Sequence, residues 1–138
     1  MNILTEIKPD YVLMTFEGRV EESFPTEFPE KLIETAITHK CPKILADLQK
    51  VEGSLTTMQR FTMGDIGAQK YRSAVQKGEI SKCRFALVAD QPLMDPHKFG
   101  ETVASNRGMS LGIFSTFQEA FDWLQQSPVP PEEKNIQK

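Results

Sequence analysis
Few side chains in this chain have the types and spacing to do chemistry. Asp47 and Asp90 each follow a short apolar run, Ile44-Leu45-Ala46 and Phe85-Ala86-Leu87-Val88-Ala89. If both runs are strands of one sheet, the two carboxylates lie on the same edge. There they could hold a cation or act as acid and base. Strand-end aspartates more commonly bond their own turn, and no third acid stands at a supporting spacing. Ser54, Thr56 and Thr57 are hydroxyls at the start of a helix-like segment. The plain role of such residues is capping, because a side-chain oxygen accepts one of the amide N–H groups left over at a helix start. The sharper role is as a phosphoacceptor. His39 and His97 have no cysteine or acid at ligand spacing, and neither a nucleophile elbow nor a phosphate-binding glycine loop is present. No catalytic residue, metal site or cofactor is therefore assigned, and the chain reads as a non-enzyme.

These residues are positioned by alternating elements. Asn2–Ile7 alternates weakly, Lys8-Pro9-Asp10 turns, and Tyr11–Phe16 is a strong strand. The two read as an antiparallel pair. Phe28, Leu32, Ile33, Ala36 and Ile37 recur at helical spacing after a start near Thr26 or Pro29, and Cys41-Pro42 stops that helix. Ile44–Ala46 is a short apolar strand ending at Asp47, followed by the turn chemistry of Val51-Glu52-Gly53-Ser54. Thr56 and Gln59 have the spacing of a capping box, opening a helix to about Val75 that Gly64 and Gly67 are expected to bend or break. A strand over Cys83–Ala89 and a helix after Asp95-Pro96, carrying Phe99 and Val103 inward, come next. A last strand to Phe114 and a helix carrying Phe117, Ala120, Phe121 and Leu124 close the pattern. The order β-β-α-β-α-β-α-β-α predicts an α/β fold with a mixed, mostly parallel five-stranded sheet. Residues 1–126 form one domain, and the proline-rich, charged segment 127–138 reads as a disordered tail.

Composition narrows the classes. With 138 residues the chain supports a full hydrophobic core, and its net charge of −3 is spread among interspersed acids and bases. No basic patch suits nucleic acid, and no apolar run reaches the ~20 residues of a membrane span. The amino terminus lacks the basic start and apolar core of a secretory signal, so the two cysteines, Cys41 and Cys83, read as reduced and structural and the location as cytoplasmic.

Several stretches resemble the STAS domain, the fold of the anti-sigma-factor antagonist SpoIIAA, and more closely the bacterial SpoIIAA-like proteins. They are Phe16-Glu17-Gly18 closing the second strand, Ile44–Leu48 with Val51, Ala86–Ala89, and Phe114 followed by Glu119-Ala120-Phe121-Asp122-Trp123-Leu124. The likeness covers about residues 2–126. In phosphorylatable STAS proteins a kinase on the partner modifies a hydroxyl within an Asp-Ser-Ser/Thr-Gly motif after the third strand, which dissociates the complex. Here Leu55, Thr56, Thr57 and Met58 stand in those four places, with Ser54 beside them. The resemblance implies a STAS-like regulatory or protein-interaction module, phospho-switched at Ser54, Thr56 or Thr57. Its contact residues would be Glu52, Leu55, Met58, Arg60, Asp90 and Met94. The partner would be a protein, a regulator or kinase-like, and a homodimer through the hairpin edge or an apolar helix face stays open. The alternative is a small-molecule or lipid-binding domain with a pocket between sheet and helix near Gly64 and Gly67, where Met63 and Met94 supply adaptable surface. A hydrolase built on Asp47 and Asp90 is the third reading.

Overall fold
Strand positions with alternating apolar residues on both sides need cover on both faces, and the chain supplies it unequally. The computed structural model describes residues 1–90, 92–94 and 109–126. Within them run β1 (Asn2–Ile7), β2 (Val12–Arg19), α1 (Phe24–His39), β3 (Lys43–Glu52), α2 (Thr57–Gln76), β4 (Arg84–Val88), β5 (Ser110–Phe114) and α3 (Phe117–Gln125). The strands form one five-stranded sheet in the order β1-β2-β3-β4-β5. β1 pairs antiparallel with β2, and the other three pairings are parallel. The mixed, mostly parallel α/β sheet expected from the sequence is therefore the observed one. The expected helix after Asp95 and the tail over 127–138 lie outside the described residues.

Alternation along the strands builds two cores. Val12, Met14, Phe16, Ile44, Ala46, Leu48, Phe85 and Leu87 point to the face that also takes Phe28, Leu32, Ala36, Ala68 and Tyr71 from α1 and α2. Leu45, Ala86 and Val88 point to the opposite face, against Ala120 and Leu124 of α3. α3 is tied down at its carboxyl end. Arg84 stacks over the Trp123 ring at 4.1 Å and donates to the Gln126 carbonyl at 2.6 Å. Burial lowers the pKa of that guanidinium. Lys43 Nζ donates to Gln125 Oε1 at 3.3 Å. Cations placed there also suit the negative end of the helix dipole.

Three local expectations change. α1 begins at Phe24, earlier than Thr26 or Pro29, with Pro25 in the first turn and Pro29 inside the helix. Proline at the first turn removes an N–H that has no helical acceptor anyway. Burial of Phe24, Phe28 and Pro29 then extends the packed face over that first turn. β3 does not end at Asp47 but runs to Glu52, because Glu17, Gly18 and Arg19 of β2 continue to pair with Lys50, Val51 and Glu52. α2 is one unbroken helix from Thr57 to Gln76, so Gly64 and Gly67 do not break it. Both glycines are buried. A Cβ on Gly67 would sit 3.4 Å from Pro29 Cβ, an ordinary contact distance, so α1 and α2 pack closely at this point.

Candidate functional site
The site grows from the β3–α2 junction. Gly53 has φ +122°, which lets the chain leave β3 sharply, and a Cβ there would meet Val20 at 3.2 Å. Leu55 then turns inward and is 5% exposed. Thr56 caps α2: its hydroxyl accepts the Gln59 N–H at 3.1 Å, while Gln59 Oε1 accepts the Thr56 N–H at 2.8 Å. The capping box expected from the spacing is present. Thr57 and Met58 follow on the exposed side of the first turn, and Met58 is 71% exposed.

A second loop closes against this one. The Asp90 carbonyl accepts the N–H groups of Leu93 and Met94 at 3.0 Å each, curling the chain after β4. Arg60 reaches across from α2: Nη2 donates to the Pro92 carbonyl at 2.7 Å and Nε to the Leu93 carbonyl at 3.2 Å. The Leu55 N–H donates to the same Pro92 carbonyl at 3.4 Å. Leu93 and Met94 are buried beneath. Ala89 N–H donates to the Phe114 carbonyl at 2.9 Å, which brings the end of β5 alongside. The result is a surface concavity of about 590 Å³ at the carboxyl ends of the strands, bordered by Val51, Glu52, Ser54, Asp90, Pro92 and Ser115. In open α/β sheets this edge is where ligands and partners bind, since loops and helix starts meet there.

The structure thus brings Glu52, Ser54 and Asp90 together on one rim, with Thr57 and Met58 on the adjoining helix start. It separates two others from that exposed surface. Leu55 and Met94, 5% and 4% exposed, are core residues, and a direct contact through their side chains is corrected to an anchoring role beneath the loops. Their apolar neighbours in the folded chain won over the polar context of their sequence neighbours. Arg60 is half-buried and spends two guanidinium nitrogens on carbonyls, so its observed work is to fasten one loop to the other. Nothing in the spacing of residues 60 and 92 signals that tether. Ser115, just after β5, also joins the rim.

Asp47 lies mid-strand rather than at a strand end. Its carboxylate accepts the Gln49 N–H at 3.0 Å, the plain turn-type role extended into an irregular stretch of β3. Asp90 is exposed just beyond β4. Among the described residues no group of three His, Cys, Asp or Glu side chains could hold a metal ion. His39 sits in the last turn of α1, and His97 lies outside the described residues.

An apolar cavity does lie between sheet and helices beside Gly64 and Gly67, with Phe28, Met63, Met94 and Met109 also on its walls. Its volume is about 40 Å³. Small-molecule pockets span about 300–1,000 Å³, so the space is a packing void rather than a formed ligand site. Met63 and Met94 therefore fill the interior and do not offer adaptable surface.

Comparison with solved structures identifies the fold. An anti-sigma factor antagonist from Mycobacterium paratuberculosis matches with a TM-score of 0.53 at 14% identity, over 91% of this chain and 94% of that one. A candidate anti-sigma factor antagonist from Thermotoga maritima matches with a TM-score of 0.53 at 19% identity, over 90% and 95% of the two chains. The anti-sigma factor antagonist SpoIIAA in its unphosphorylated form matches with a TM-score of 0.47 at 14% identity, over 91% and 100%. The chain has the SpoIIAA-like (STAS) fold. No family profile and no curated protein sequence matches it. No helix among the described residues is long and apolar enough to cross a membrane.

Proposed function
We propose that this protein is a non-enzymatic, cytoplasmic STAS-like regulatory module that binds a protein partner through the carboxyl edge of its sheet. The observation that carries this reading is Met58. A methionine 71% exposed on the first turn of a helix, beside a rim of Glu52, Ser54 and Asp90, is an apolar anchor that the fold itself does not use. The rigid tether through Arg60 supports the same reading, because a contact surface held in one shape loses less entropy on binding. The fold shared with anti-sigma factor antagonists supports a regulator or a kinase-like protein as the partner.

The switch belongs to the same proposal. Ser54 and Thr57 are exposed, whereas the Thr56 hydroxyl is occupied as the helix cap. Phosphate on Ser54 or Thr57 would add nearly two negative charges to a rim that already holds Glu52 and Asp90, and would expel an apolar or acidic partner surface. Affinity capture of the tagged protein from its native cells, with intact-mass measurement of the captured chain, tests both parts. The expected result is a regulator or kinase-like protein recovered with the unmodified form and an added phosphate, mapped to Ser54 or Thr57, on the unbound form. Recovery of the same proteins by the wild type and by Met58→Glu would refute the surface, and phosphate confined to other residues would refute the switch.

A further inference from the structure
The outer strand of the sheet, separated by β2 from the carboxyl edge of β3 and β4, presents an open edge and apolar side chains. Among the described residues β1 is bonded on one side only, to β2, over six residues from Asn2↔Glu17 to Ile7↔Val12 without a register shift. Natural edge strands are usually blunted by proline, a bulge or unpaired charge, and β1 has none of these within its span. Its single charge, Glu6, is matched by Lys8 at 3.7 Å. Five large apolar side chains stand exposed among the described residues. Four of them belong to this edge: Met1 at 43%, Ile3 at 38%, Leu4 at 59% and Ile7 at 69%.

We propose that β1 is a homodimer edge, where β1 of a second copy adds antiparallel across a two-fold axis through Leu4. The occupant is a second copy because the strand is self-complementary in this register. An axis perpendicular to the sheet keeps each face continuous, so residues facing the same side meet. Leu4 then opposes Leu4 of the second copy, Ile3 opposes Thr5, Asn2 opposes Glu6 and Met1 opposes Ile7, the last three pairs each occurring twice. Like charges never face one another, each Glu6 meets an amide donor, and the most exposed apolar side chain of this edge, Ile7, is covered by an apolar neighbour. Moving the axis to Thr5 would pair Ile3 with Ile7 but set Leu4 against Glu6 and Asn2 against Lys8, which loses the central Leu4–Leu4 contact. On the helix-covered face, Met1 and Ile3 continue into a groove of about 160 Å³ with Phe16 and Phe24. That gives Ile7 of the second copy further apolar ground. One strand edge makes a small interface, so the dimer is concentration-dependent rather than permanent.

Light scattering across a concentration series tests this on the full chain, together with two variants at the same exposed position. The parent should dimerise. Leu4→Lys, which places two ammonium groups face to face and removes two apolar contacts, should weaken the dimer by about a hundredfold while leaving the circular dichroism spectrum unchanged. Leu4→Cys should form an intermolecular disulfide under mild oxidation that the parent, which retains Cys41 and Cys83, does not form. A parent that stays monomeric at every concentration overturns the proposal. So does a dimer that Leu4→Lys leaves intact, or one that cross-links through Thr5→Cys but not through Leu4→Cys. Binding of an unrelated extended peptide by a monomeric parent would assign the edge to a different partner.

Discussion

The two ends of α2 are built for different purposes. At its carboxyl end the helix is sealed. The Tyr71 ring meets Phe85 edge-on at 5.9 Å, and its hydroxyl accepts the buried Cys83 N–H at 3.0 Å. The Cys83 thiol lies beneath, with contacts to the Ser81 and Cys41 carbonyls at 3.3 Å and 3.8 Å. At its amino end the helix starts with two exposed residues, Thr57 and Met58, above loops fastened by Arg60. One end converts sequence into stability. The other presents side chains that contribute little to stability, and this is what a binding surface requires.

Mutations should separate the buried foundations of both ends from the exposed surface of the amino end. The largest effect tests whether the amino end also has a foundation: Leu55→Ala should destabilise by about 3 kcal/mol in urea unfolding, because it opens a cavity under the rim. A cost below about 1 kcal/mol would mean that the junction is not anchored as described. At the carboxyl end, Tyr71→Phe should cost about 2 kcal/mol by leaving the Cys83 N–H without its acceptor.

That same end should respond to alkali. Burial pushes the Cys83 thiol from 9.0 up to about 11, and burial likewise raises Tyr71. Both groups are held neutral in the folded chain, so below pH 9 their contribution is complete. Between pH about 9 and about 11 the unfolded chain releases a proton that the folded chain keeps, and stability falls by about 2 kcal/mol. Urea titrations across that range check it, and Cys83→Ala should flatten the dependence. Alkylation should also label Cys41 well before Cys83.

The smaller effects belong to the exposed first turn of α2. Thr56→Ala should cost about 1 kcal/mol through loss of the helix cap. Met58→Ala should change stability by less than about 0.5 kcal/mol while weakening partner binding by more than tenfold. A Met58 variant that unfolds the protein would erase the distinction between the ends.

The same contrast explains what was legible in the sequence. The order of the described elements, the alternating strands and the Thr56–Gln59 cap depend on residues close in the chain, and they were readable. The length of β3 was not, because Lys50, Val51 and Glu52 are held by pairing with β2, more than thirty positions away. The glycines of α2 looked like breaks because their helix propensity is local, while the close approach of Pro29 is tertiary. At the site, the hydroxyls, Glu52, Met58 and Asp90 were singled out from their positions at element ends, and the fold sets Glu52, Ser54 and Asp90 on one rim. Leu55 and Met94 were placed outside because a loop context hides burial, and the Arg60 tether depends on carbonyls that any residue could have supplied.

The most direct test of the carboxyl-edge surface is a quantitative capture experiment with three baits: the wild type, Met58→Glu, and Lys77→Glu at the opposite end of the same helix. A partner retained by the wild type and by Lys77→Glu but lost by Met58→Glu, with all three equally folded, is the predicted result. Equal retention by all three baits, or loss with Lys77→Glu alone, would contradict the assignment of binding to the amino end of α2.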